Sequence, residues 1–120
     1  MERATDNPIT IEVNPKRVRV LFNGRIVADT TRALTLKETG VPPVQYIPRE
    51  DADMSLLERT AHKSHCGYKG DAAYYTIRAD GRTAENAVWT YEDPFPAVAA
   101  IKGYLAFYAD RVDRIETLPT

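Results

Sequence analysis

Two dipeptides, Asn23-Gly24 and Asp80-Gly81, constrain the fold most, because each stands between segments of alternating character. Asn-Gly and Asp-Gly are typical of the two-residue turn of a β-hairpin, whose central residues need a positive φ. The flanking segments predict four strands, over residues 17–22, 25–29, 72–79 and 82–91. The core of the fold is therefore expected to be antiparallel β-structure.

A two-residue loop also sets which residues pair across each hairpin. The predicted pairs are Phe22–Arg25, Leu21–Ile26 and Val20–Val27 in the first hairpin, and Ile77–Ala84, Tyr75–Asn86 and Tyr74–Ala87 in the second. A slip by one residue would exchange the two faces of a strand, so the pairing decides what is buried.

The same alternation assigns side chains to faces. In the first hairpin the core face is predicted to carry four apolar residues: Val18, Val20, Phe22 and Val27. In the second hairpin Tyr75 and Ile77 share one face, whereas Tyr74, Trp89 and Tyr91 share the other. The two hairpins are expected to enclose one shared hydrophobic interior.

The remaining elements are shorter. Weaker patterns predict strands near residues 10–13, 33–37, 44–47, 104–108 and 111–116. Asp93-Pro94 predicts a helix start, with Pro94 at the first helical position, and Gly103 predicts its end. The expected fold class is mainly β: an antiparallel β-roll or distorted barrel with one short helix.

Composition narrows the function class. With 120 residues the chain is expected to form a single domain, and residues 1–9 to form a polar, flexible N-terminal segment. A net charge of −1 argues against a nucleic-acid partner. One cysteine allows no intrachain disulfide, and no stretch is long and apolar enough to span a membrane. We expect a soluble, cytoplasmic protein without a membrane partner.

Residues 62–71, from His62 to Asp71, hold both histidines and the only cysteine. His62, His65 and Cys66 supply three zinc ligands at most, and no second ligand pair exists, so no metal site is predicted. Cys66 with His62 is the candidate catalytic pair, because a thiol nucleophile needs a base beside it. Residues four apart on an extended strand stand about 13 Å from each other, however, so the pair needs a turn to meet. Simple packing of Cys66 is the other interpretation.

The aromatic face of the second hairpin offers a ligand cleft beside this segment. Lys69, Tyr74, Trp89 and Tyr91 are predicted to line it, with Lys69 attracting a small anionic ligand. Arg49 or Glu50, from the charged stretch after Pro48, is placed at the rim. Packing of the aromatic residues beneath the predicted helix is the alternative.

Five stretches of the chain form a further set of motifs: VRVLFNGRIVADT, VQYIPRED, HKSHCGYKGDAAYY, AENAVWTY and AIKGYLAFY. Together they resemble the bacterial and fungal family called domain of unknown function 427. The resemblance implies a small, mostly β single domain and no particular mechanism. The family motif resembles His-x-x-x-Cys-Pro-x-Lys-Gly, which His62, Cys66, Lys69 and Gly70 match, while Gly67 stands where proline is usual.

Two function hypotheses follow. The first is a small-molecule binding module or a small enzyme, with its cleft at the loop of residues 62–71. The alternative is a non-catalytic protein-interaction or homo-oligomerising domain, in which the second face of the first hairpin, carrying Leu21 and Ile26, is buried against another copy. Neither the cofactor nor the question of catalysis is decided by these residues.

Overall fold

The computed structural model describes residues 9–119. Its strands are β1 (Ile9–Asn14), β2 (Arg17–Phe22), β3 (Arg25–Thr30), β4 (Ala33–Glu38), β5 (Val41–Tyr46), β6 (Leu57–Cys66), β7 (Gly70–Ala79), β8 (Arg82–Tyr91), β9 (Leu105–Phe107) and β10 (Arg114–Leu118). Three short 3₁₀ helices cover Arg49–Asp51, Met54–Leu56 and Pro96–Ile101. Of the N-terminal segment predicted to be flexible, residues 1–8 lie outside the described residues, and Ile9 already belongs to β1.

The strands form three antiparallel sheets. Sheet I has the order β1-β4-β5, sheet II the order β10-β2-β3, and sheet III the order β6-β7-β8-β9. The prediction of a mainly antiparallel β fold is confirmed, and the short strands predicted from weak patterns correspond to β1, β4, β5, β9 and β10. Within residues 9–119 the sheets form a distorted roll and do not close into a barrel.

Sheet III is the central layer, because a separate core covers each of its faces. The core between sheets II and III contains Val18, Phe22, Ile77 and Val88. The core between sheets I and III is aromatic and contains Tyr46, Tyr74, Tyr91 and Leu36. The prediction of one shared interior is therefore wrong: the long strands β7 and β8 bury both of their faces, and each face contacts a different sheet.

The first hairpin turns at Asn23 and Gly24 with the predicted positive φ angles of 51° and 77°. The Phe22–Arg25 and Leu21–Ile26 pairs are confirmed, but the Val20–Val27 pair is wrong, because a β-bulge places Ala28 opposite Val20. The four residues predicted for the core face are all buried.

The bulge has a clear physical reason in Asp29. A regular ladder would place Asp29 opposite Val18, on the buried face. The bulge moves it outward and puts Thr30 opposite Val18. The Asp29 carboxylate then accepts two hydrogen bonds from Arg17, at 2.8 and 2.6 Å. A buried, unpaired carboxylate is thereby avoided.

The second hairpin turns at Asp80 and Gly81 as predicted, with φ of 51° and 85°. Ile77 pairs with Ala84 as predicted, but a bulge near Asn86 shifts the rest of the ladder. The predicted Tyr75–Asn86 and Tyr74–Ala87 pairs are wrong, and the observed pairs are Tyr75–Val88 and Tyr74–Trp89. The shift is by two residues, so the faces are unchanged: Tyr75 and Ile77 lie on one face, and Tyr74, Trp89 and Tyr91 on the other.

The helix start was predicted two residues too early. Pro96, not Pro94, occupies the first helical position, and Phe95 stays extended. The backbone N–H of Phe95 donates to the Lys69 carbonyl at 2.9 Å, which holds this segment against the β6–β7 turn. Within residues 9–119, no helix is both long enough and apolar enough to cross a membrane.

Candidate functional site

A cavity of about 330 Å³ lies between sheet I and the aromatic face of sheet III. Four of the predicted ligand-binding residues line it: Lys69, Tyr74, Trp89 and Tyr91. Strand alternation brings them together, because the aromatic three share one face of the β7–β8 hairpin and Lys69 lies in the turn that precedes β7.

The opposite wall comes from β4 and β5 and was missed at the sequence level. Its members include Leu36, Glu38, Val44 and Tyr46. The alternation of these segments predicts strands but does not indicate which face of sheet III they cover. The hydroxyl-bearing Ser64 and Tyr108 complete the polar part of the lining.

Segment 62–71 is not the open loop that was predicted. Residues 63–66 pair in register with residues 70–73, so the segment is the end of β6 and the start of β7, joined by a short turn. Gly70 has a φ of 116°, and a Cβ there would lie 3.5 Å from the carbonyl oxygen of Asp93. That distance is ordinary van der Waals contact, so the positive φ, and not a lack of space, favours glycine directly after Lys69.

Lys69 is a buried cation in the cavity wall. The residue is 8% exposed, and its Nζ donates to Glu38 Oε1 at 2.8 Å and to Cys66 Sγ at 3.6 Å. Desolvation of an ammonium is costly unless a counter-charge compensates it, and Glu38 supplies that charge from sheet I. The positive charge expected to attract an anion is thus already met by a carboxylate.

Most aromatic polar groups in the lining are joined by hydrogen bonds. The indole N–H of Trp89 donates to Tyr46 Oη at 3.2 Å. The Tyr74 hydroxyl is bonded to Ser64 Oγ at 2.8 Å and to Tyr108 Oη at 3.3 Å. The Trp89–Tyr46 bond links sheet I to sheet III, and the bonds of Tyr74 hold its ring at the cavity within sheet III.

The hydroxyl of Tyr91 is different. The residue is 6% exposed and lines the cavity, yet its Oη has no hydrogen-bond partner among residues 9–119. Among residues 9–119 the only fully buried side-chain nitrogen or oxygen without a partner is Arg19 Nε, so the Tyr91 oxygen is open to the cavity. A ligand atom in the cavity can accept a hydrogen bond from it.

Burial sets the protonation state of the tyrosine hydroxyls. Desolvation raises the pKa of Tyr46 to about 12, against a smaller opposing effect of the hydrogen bond from Trp89. Desolvation likewise raises the pKa of Tyr108 to about 12, and the hydrogen bond to Tyr74 adds to it. Burial also raises the pKa of Tyr91. At neutral pH all three are phenols, which can donate hydrogen bonds but cannot act as bases.

The two candidate catalytic residues do not form a pair. Cys66 and His62 both belong to β6, four positions apart on an extended strand. The His62 ring packs edge-on against Tyr74, with the centroids 4.5 Å apart, whereas the Cys66 sulfur contacts Lys69. The turn that would have joined the imidazole to the thiol is absent from β6. Cys66 is half-buried against the aromatic core.

His65 points away from Cys66 on the alternating strand. Its Nδ1 lies 2.6 Å from Asp71 Oδ1, an exposed pair on the outer edge of sheet III. Among residues 9–119, no group of three histidine, cysteine or acidic side chains could hold a metal ion.

Arg49 and Glu50 do not lie at the rim. Arg49 donates to the Tyr75 hydroxyl at 3.1 Å and covers that ring, so it lies on the face of sheet III opposite the cavity. Glu50 is exposed and lies 3.9 Å from Arg32. Neighbouring tyrosines of β7 point to opposite faces, and the 3₁₀ helix that follows β5 reaches Tyr75, not Tyr74.

A family model with the description "Domain of unknown function (DUF427)" matches residues 10–117. The matched region includes every residue that lines the cavity. No curated protein matches the chain significantly.

Proposed function

Because the chain belongs to the DUF427 family, whose description assigns no activity, we propose a function from the cavity itself: a small-molecule binding module. The ligand is an uncharged compound that presents an acceptor oxygen, such as a carbonyl or a hydroxyl, to Tyr91. The hydroxyl of Tyr91, which makes no hydrogen bond within residues 9–119 and is open to the cavity, carries this proposal. A cavity of about 330 Å³ falls within the size range of small-molecule sites.

Two donors support an oxygen acceptor. The Tyr91 hydroxyl is one, and its raised pKa keeps the proton on the oxygen at neutral pH. Lys69 is the other: an ammonium has three hydrogens, of which Glu38 and Cys66 engage two. Both side chains line the same cavity.

The charge balance favours an uncharged ligand over the anion expected from Lys69 alone. Glu38 Oε1 lies 2.8 Å from Lys69 Nζ and also lines the cavity. An anionic ligand would gain from the ammonium but would be repelled by this carboxylate at similar range. A neutral acceptor gains the hydrogen bonds without that repulsion.

Binding without catalysis is favoured by the separation of the reactive groups. A thiol nucleophile needs a base within hydrogen-bond reach, and His62 contacts Tyr74 instead of Cys66. The tyrosine hydroxyls hold their protons at neutral pH. The residues around the cavity are thus suited to holding a ligand.

The test uses Trp89, the only tryptophan of the chain, as a reporter in the cavity wall. A set of small neutral ketones, amides and alcohols is titrated while the indole ¹H–¹⁵N resonance is followed. At least one class is expected to shift the resonance saturably, and Tyr91→Phe is expected to weaken that binding about fivefold, the loss of one hydrogen bond.

Tyr104→Phe is the matched control, since Tyr104 packs on the same aromatic core but does not line the cavity. It should leave the affinity unchanged. If no compound shifts the resonance, or if both variants weaken binding equally, the proposal is wrong.

The alternative, assembly into homo-oligomers, has one supporting observation: Ile26 is 44% exposed beside Leu21 on the outer face of sheet II. Single exposed apolar residues are common on monomers. The test is to measure the molar mass by light scattering at two protein concentrations that differ about tenfold. A constant monomer mass excludes this alternative, and a dimer that Ile26→Lys dissociates would establish it.

A further inference from the structure

A second cavity lies beside the first and differs from it in chemistry. It has a volume of about 290 Å³, and most of its wall is apolar, with Val20, Ile47, Phe107 and Ile115 contributed by the other core. The first cavity, in contrast, is lined by Lys69, Glu38 and tyrosine hydroxyls. A polar site and an apolar site are therefore neighbours in this fold.

The two cavities share a wall. Val41, Pro42, Val44 and Trp89 line both of them. At the end of β5 the side chains alternate, so that Tyr46 faces the first cavity while Gln45, and Ile47 directly after the strand, face the second. The wall thus consists of one edge strand and one indole ring.

The outer end of this wall, residues 41–43 of β5, is held by few hydrogen bonds. Pro42 and Pro43 have no N–H to donate, and the β4–β5 ladder is irregular between Leu36 and Glu38. Val41 and both prolines are exposed. Displacing this end of β5 therefore breaks few hydrogen bonds.

Trp89 presents an apolar surface on the shared wall. Its one polar atom, Nε1, is occupied by Tyr46 Oη at 3.2 Å. The Tyr108 ring packs against part of the indole, with the centroids 4.5 Å apart, and the hydrocarbon that lines the two cavities can contact an alkyl or aromatic group.

We propose that the ligand is an uncharged amphiphile whose acceptor oxygen binds at Tyr91 and Lys69 and whose apolar tail extends past Trp89 into the second cavity. This inference rests on the proposed function, and it adds the class of ligand. The second cavity supplies the apolar surface that such a tail needs, and displacement of the outer end of β5 opens the shared wall so that one molecule reaches both sites.

The experiment is a homologous series of methyl ketones, from 2-pentanone to 2-undecanone, titrated against the Trp89 indole resonance. Burial of each added methylene is expected to tighten binding about fourfold. The gain should continue along the series in the native protein.

Ala109→Phe is the key variant, because Ala109 lines only the second cavity and is exposed, so a larger ring there can fill the cavity without overpacking a core. It should leave 2-pentanone binding unchanged and abolish the gain for longer ketones. Ala100→Phe adds the same ring at an exposed site outside both cavities and should change neither.

The outcomes separate the two proposals. If short ketones bind in a Tyr91-dependent way but the affinity does not rise with chain length, the amphiphile inference is wrong and the binding function stands. If the affinity rises equally in Ala109→Phe, the tail lies elsewhere and the inference is also wrong. If no ketone or other neutral compound binds, the proposed function itself fails.

Discussion

The two faces of sheet III are built from the same two strands but bury different chemistry. Toward sheet II, β7 and β8 present Ile77, Ala84 and Val88, and the core there is mainly aliphatic. Toward sheet I, the same strands present Tyr74, Trp89 and Tyr91, and the core is aromatic and carries hydroxyl groups. Close packing of aliphatic groups such as Ile77 and Val88 stabilises the first face, whereas hydrogen bonds between polar groups of the rings stabilise the second, where the polar cavity lies.

The contrast indicates that the two faces of the β7–β8 hairpin have different roles. Ile77 and Val88 are fully buried and line neither cavity, so close packing at this part of the face toward sheet II fixes the fold. Large flat rings with polar tips leave gaps between them, and a tip that faces such a gap, as the Tyr91 hydroxyl does, is available to an external partner. A binding site can form on the second face without loosening the first.

The largest expected effect is a loss of folding stability when a buried side chain on either face of sheet III is truncated to alanine. Ile77→Ala, at a fully buried site of the aliphatic core, should lower the free energy of unfolding by about 3 kcal/mol. Leu36→Ala should cost about 2 kcal/mol, because Leu36 already borders the cavity and loses fewer contacts. Urea unfolding of both variants measures the difference; equal losses would mean that the two faces are packed alike.

An intermediate effect is expected at alkaline pH on the aromatic face. An unfolded tyrosine titrates near pH 10, and burial raises the pKa of Tyr46 to about 12. The resulting stabilisation is fully present below pH 10 and is lost as the pH rises from about 10 to about 12, by about 1.4 kcal/mol per pH unit.

Tyr46→Phe should remove that part of the alkaline loss, so the free energy of unfolding falls less steeply with pH than in the native protein. At pH 7 the variant should be about 1 kcal/mol less stable, since the hydrogen bond from Trp89 is gone. Urea unfolding at pH 7, 10, 11 and 12 tests this, and parallel pH profiles would contradict the assignment.

The smallest expected effect concerns reactivity at the edge of the aromatic face. Since His62 contacts Tyr74 and not the thiol, His62→Gln should change the rate of Cys66 alkylation by iodoacetamide less than twofold across pH 6–9. Lys63→Gln on the same strand serves as the control for a change in exposed charge. A tenfold loss of the alkylation rate in His62→Gln, with no loss in Lys63→Gln, would support Cys66 and His62 as a catalytic pair.

Local patterns predicted much of the fold. Alternation and the dipeptides Asn23-Gly24 and Asp80-Gly81 correctly predicted both turns and the strands that flank them. They also predicted which side chains share a face of the second hairpin. The strand pairing beyond each bulge could not be predicted in this way. A bulge depends on which side chains the whole sheet buries or excludes, and the first bulge keeps Asp29 out of the core. The helix start depended on a bond between Phe95 and Lys69, 26 residues away.

The same distinction between local patterns and long-range contacts applies to the candidate site. The sequence by itself determined that Tyr74, Trp89 and Tyr91 share a face and that Lys69 precedes them, because those relations depend only on the two-residue period of a strand. Only the tertiary structure decided that Glu38 neutralises Lys69, that Tyr46 meets Trp89, and that Arg49 lies on the far side. Those contacts join segments distant in the chain, and packing between sheets, which no local pattern encodes, selects them.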